Sequence, residues 1–261
     1  MIRLPISGVL AQWRPATGTD DIALADSRPG LAGALCYVER VASLPDGASL
    51  AAGTLPVGDL DLLVVARRRE VRGDTMVAEG QCEQCGSAVD VQFSLAAYAD
   101  HHRPRTSRRV TGDAEPGWHL LRSHEISFRV PVVADVLEAA GAPDPRAALL
   151  TRCVRQPLTA RSARAVEQAM ETLAPTLRAD VAGTCPECAA AVLLDVNARE
   201  LCMAELRFLA GSVYDDINLI ASVYRWSQHA ILELPSARRR RYADLIAGHT
   251  AEQSVSGVPV G

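Results

Sequence analysis

The pattern of hydrophobic and polar positions changes period several times along the chain. Two helix-like segments lie around residues 57–71 and 159–174. Each is followed by a pair of strand-like stretches, Met76–Glu79 with Ala88–Phe93 and Ala179–Ala182 with Ala190–Asp195. From Ala198 the pattern turns helical. Leu206, Leu209, Val213, Ile217, Ile220 and Val223 recur at threes and fours, which predicts one long amphipathic helix to about Arg225. Ser227 is placed to cap a short helix through Leu234, and Ser236, after Pro235, another through Ile246. His101–Gly117 is polar and carries proline and glycine, so a loop or linker is expected. The small, polar residues 250–261 read as a frayed tail.

Each pair of strand-like stretches brackets a Cys-x-x-Cys knuckle, Cys82-Glu83-Gln84-Cys85 and Cys185-Pro186-Glu187-Cys188, and the two lie 103 residues apart. Sliding the sequence by 103 also sets Gly80 on Gly183, Val89 on Val192, Ala66 on Ala169 and Leu55 on Leu158. Upstream, with gaps, Trp13-Arg14 and Asp20-Asp21 match Phe128-Arg129 and Asp135, and Cys36 roughly matches Cys153. The pattern predicts a diverged tandem duplication. The expected fold is α+β, with two pseudo-repeats of strand, helices, strand, knuckle and strand at 1–100 and 118–197. A linker (101–117) joins them, and a helical module (198–248) and flexible tail (249–261) follow.

The duplication explains a spacer far longer than the about 15–20 residues of an ordinary zinc ribbon. Two copies related by a pseudo-twofold can each bring one knuckle to a shared metal. The expectation is one structural zinc per chain, held by Cys82, Cys85, Cys185 and Cys188. Four thiolates close the coordination shell and leave no position for a catalytic water. A redox dithiol is the weaker alternative, because it calls for a cysteine at a helix N-terminus after a strand. Cys36, Cys153 and Cys202 sit among apolar neighbours, where core packing is expected.

Composition narrows the function classes. The 27 basic residues are all arginine, which excludes a Walker A lysine, a kinase strand lysine and a Schiff-base lysine. No Gly-x-Ser-x-Gly or Gly-x-Gly-x-x-Gly motif occurs, and His124-Glu125 lacks the second histidine of a zincin, so no enzyme is expected. A net charge of −4 and 4% aromatic residues argue against bulk nucleic-acid binding. A zinc-ribbon nucleic-acid-binding regulator nonetheless stays open on the arginines at 103–109 and 238–241. No apolar run approaches a membrane span and Met1–Pro5 does not open a signal peptide, so a cytoplasmic protein is expected.

The run Tyr224-Arg225-Trp226-Ser227 through Leu234-Pro235, followed by Arg238–Arg241 and Tyr242, resembles a known family. It is similar to the C-terminal signature of small baseplate and hub-assembly chaperone proteins of contractile-tail phages and phage-derived contractile injection systems. Leu55–Asp59, Phe128–Asp135 and both knuckles are similar to the same family, so the resemblance spans roughly 13–247. It implies a structural or assembly role, with baseplate, hub or spike proteins as partners. The partner contacts are expected at Trp226, Arg238, Arg239, Arg240 and Arg241.

Overall fold

The computed structural model describes residues 1–256, with side chains through Gly248. The chain opens with β1 (Ile2–Arg3), β2 (Leu10–Trp13), α1 (Gly18–Ala25), α2 (Leu31–Val41) and β3 (Ala42–Ser43), β2 lying between the other two strands. A 3-10 turn (Ala52–Thr54) leads to α3 (Val57–Arg72), the antiparallel hairpin β4 (Thr75–Gln81) and β5 (Ala88–Ser94), and α4 (Leu95–His101). A meander of β6 (Val110–Gly112), β7 (Trp118–Leu121) and β8 (Ile126–Arg129) precedes α5 (Val133–Ala139), α6 (Pro145–Cys153) and α7 (Ala160–Leu173). A second hairpin, β9 (Arg178–Thr184) and β10 (Ala191–Asn197), is followed by α8 (Ala198–Gly211), α9 (Val213–Tyr224), α10 (Gln228–Leu232) and α11 (Ser236–Ser256).

Corresponding elements keep a constant spacing. α3 and α7, β4 and β9, β5 and β10, and α4 and α8 each begin 103 residues apart. The caps correspond as well, since Ser94 accepts from the Ala97 amide and Asn197 from the Glu200 amide. Arg14 grips Asp20 with two hydrogen bonds of 2.7 and 2.8 Å, and Arg129 grips Asp135 with bonds of 2.5 and 2.7 Å. Burial works to raise Asp20, but bonds from Arg14, the Thr17 amide and Arg40 outweigh it and hold the carboxyl at about 2.

The main core joins α2, α3 and α8 through Val38, Leu60, Leu63, Val64, Met203 and Leu206. Within it the Arg199 guanidinium donates to buried Asp61 at 2.7 Å, which also accepts the Leu177 amide. A second core around Phe128, Cys153 and Val166 lies under the meander. Among the described residues, no helix is long and apolar enough to cross a membrane.

Several expectations are corrected. The single helix expected over 198–225 is two helices that break at Ser212. Its hydroxyl donates to the Leu209 carbonyl and competes with the backbone next to helix-poor Gly211. Ser227 does cap α10 through the Ala230 amide, but the Ser236 hydroxyl donates to the Ala16 carbonyl instead of capping. α11 continues to Ser256, well past Ile246, so much of the expected tail is helical. Residues 257–261 of that tail lie outside the described residues. The expected linker contains β6, paired with β7, and its Arg105 amide donates to Thr172. Cys153 and Cys202 are buried, whereas Cys36 is exposed because it lies off the Ala34–Tyr37–Val38–Val41 stripe of α2.

Candidate metal centre

The two hairpins present their knuckles in the same way. In the first turn the Cys82 amide donates to the Ser87 carbonyl and Gly86 to Cys82; in the second, Cys185 donates to Ala190 and Ala189 to Cys185. The turn requires a left-handed residue after the second cysteine. Gly86 adopts it at φ 74°, while Ala189 is forced to φ 58°, where a Cβ carries strain.

Packing brings the turns together. A Cβ built on Gly80 would stand 2.4 Å from Leu194 Cδ2, and one on Gly183 would stand 2.4 Å from Val91 Cγ2. Each glycine is thus a socket for a side chain of the opposite hairpin. Val89, Val91 and Val192 form a small core below the cysteines.

Across this seam Cys82 Sγ lies 3.6 Å from Cys188 Sγ, and Cys85 Sγ lies 3.6 Å from Cys185 Sγ. All four sulfurs fall within 4.8 Å of one another. A tetrahedral ion with metal–sulfur bonds of about 2.3 Å needs sulfurs about 3.8 Å apart, so the four-sulfur set fits one metal ion. Cys82 and Cys185 are buried and Cys85 and Cys188 exposed, so each hairpin supplies one inner and one outer ligand. The Ser87 hydroxyl, then its backbone amide, lower the Cys85 thiol to about 6. The Ala190 amide pulls Cys188 down, but burial and hydrogen bonds to the other three cysteines outweigh it and leave that thiol at about 12. With metal bound, these amides would support the outer sulfurs.

The four ligands expected from the sequence are therefore brought together. The five C-terminal residues are not one surface. Arg238 and Arg241 are exposed, and Arg240 donates to the Leu209 carbonyl that ends α8. Arg239 is 0% exposed and faces the interior, with Asp216 at 2.9 Å and Asp21 at 2.7 Å, so it is not a partner contact. Trp226 is 38% exposed; it stacks on Tyr224 and meets the edge of Tyr242. Neither that aromatic triad nor the exposure of Phe208 on α8 follows from sequence periodicity alone. No protein-family profile, curated protein or solved structure matches the chain.

Proposed function

We propose that this chain is a non-enzymatic structural or assembly (chaperone-like) component of the baseplate or hub of a contractile, phage tail-like injection system, stabilised by one structural zinc. The observation that carries the scaffold part is the convergence of four sulfurs from hairpins 103 residues apart. Zinc fits an all-cysteine tetrahedral set that leaves no open position for chemistry. The constant offset of strands, helices and caps, and the reciprocal glycine sockets, support a tandem duplication. The baseplate part rests on the family resemblance. Exposed Tyr224 and Trp226, packed on half-buried Tyr242 and near exposed Arg238 and Arg241 in the chain, support it, because aromatic and arginine side chains dominate protein-binding hot spots.

The test is deletion of the gene in a producing cell, scored by particle imaging and by pull-down of the tagged chain. Loss of assembled baseplates and recovery of baseplate, hub or spike proteins are expected. Normal particles from the deletion strain would overturn the reading.

A further inference from the structure

Two helices of this chain are started by the same device. Pro56, immediately before α3, forms an isolated antiparallel bridge with Val132, immediately before α5, and the Val133 amide donates to the Leu55 carbonyl at 2.9 Å. Pro235, immediately before α11, forms the same kind of bridge with Thr17, immediately before α1, and the Ser236 amide donates to the Ala16 carbonyl at 2.8 Å. The received segment donates the backbone bond in the first pair and accepts it in the second, but it is otherwise alike. It runs extended into a helix and carries an aspartate three residues past the cap, with Asp135 accepting the Val132 amide and Asp20 the Thr17 amide.

The chain holds a third site of the receiving kind. Thr159, immediately before α7, stands 103 residues after Pro56 and has the same extended backbone, φ −84° and ψ 163° against φ −55° and ψ 145°. Among the described residues nothing is bridged to it. Among the described residues the Leu158 carbonyl accepts no hydrogen bond and the Ala160 amide donates none. Leu158 is half-buried and Thr159 exposed, as Leu234 and Pro235 are in their bridged pair. Beside them opens a cleft of about 530 Å³, with Leu150, Val154 and Leu158 as its apolar lining and Ala147 and Thr151 exposed at its rim.

We propose that this cleft receives the matching segment of another protein, an extended apolar stretch running into a helix with an acidic residue three positions past its cap. The occupant is a different chain, since both segments of this type here, at 16–18 and 131–133, are already paired within the fold. Backbone bonds to Leu158 and Ala160 would set its register, and the apolar lining would select its side chains. The inference depends on neither the metal nor the family resemblance.

The probe is a fluorescent peptide of residues 127–141, the chain's own segment of this type, titrated into the full-length protein. Saturable binding is expected, with hydrogen-exchange protection over 146–163. Ala160→Pro removes the amide donor at a first helical position, where proline is tolerated after an extended residue. Ala147→Trp fills the cleft from its exposed rim. Each variant, shown to be folded by circular dichroism, should weaken binding at least tenfold, as should Asp135→Ala in the peptide. Absence of saturable binding at millimolar peptide, affinity unchanged in both variants, or protection at 55–57 instead would overturn the proposal. A concentration-dependent dimer abolished by Ala147→Trp would also overturn it, by assigning the cleft to a second copy.

Discussion

Arg239 and Asp21, 218 positions apart in the chain, meet at 2.7 Å in the interior, and Asp216 holds the same guanidinium at 2.9 Å. The contact ties α11 and α9 to α1, so the C-terminal helices are joined to the first helix of the fold. Arg239→Met would leave two buried carboxylates without their counter-charge, at a cost of about 3–5 kcal/mol. The expected result is a lower urea midpoint and new protease cleavage between 225 and 236. Adding Asp21→Asn and Asp216→Asn to that variant should restore much of the loss.

The metal reading predicts one zinc per freshly purified, reduced chain, measured by elemental analysis together with oligomer size. Binding by four thiolates contributes on the order of 10 kcal/mol of apparent folding free energy in small modules. Cys185→Ser should release the metal and raise amide exchange in both hairpins, β4–β5 as well as its own. A variant matching the parent in metal content and melting temperature would refute the shared site.

Ala189 occupies the left-handed position that Gly86 fills without strain. Ala189→Gly should stabilise the protein by about 0.5–1 kcal/mol, the relief of a Cβ clash less the added freedom of the unfolded chain. Gly86→Ala should cost a similar amount. Opposite shifts in melting temperature check the pair.

Gly80→Ala and Gly183→Ala each place a methyl group where Leu194 or Val91 now sits. Overpacking of this kind costs about 1–3 kcal/mol. Both should also lower metal affinity, because the cysteines can meet only when the seam is closed. Metal competition with a chromophoric chelator reads this directly.

Asp20 is held at about 2, below its ordinary value. A depressed carboxyl stabilises the fold above its unfolded value of about 3.9 and loses that contribution as pH falls towards 2. Asp20→Asn should be less stable at neutral pH, and its stability should change less between pH 5 and 2. Denaturant midpoints across that range provide the measurement.

The hairpins, the helices before them and the four-cysteine set were legible because they rest on local signals. Alternation and a repeated spacing of 103 both survive in one dimension. The helix break at Ser212 was not legible, since Leu206, Leu209, Val213 and Ile217 keep helical spacing straight through it. Arg239 was hidden for another reason. Four consecutive arginines look alike in sequence, and only the placement of Asp21 and Asp216 makes one of them interior while Arg238 and Arg241 face solvent. Cys36 looked like a core residue because its neighbours are apolar, but those neighbours form the buried stripe and Cys36 does not.

The shared seam also has a consequence in time. Each hairpin has only two strands, and such a unit is marginally stable alone. Cys82 and Cys85 leave the ribosome 103 residues before Cys185 and Cys188, a wait of roughly 5–20 s at ordinary rates of synthesis. Throughout that interval the nascent chain carries half a ligand set and an uncovered Gly80 socket. A neighbouring chain on the same messenger could supply the missing half. In such an exchanged pair the number of four-cysteine sites per chain would be unchanged.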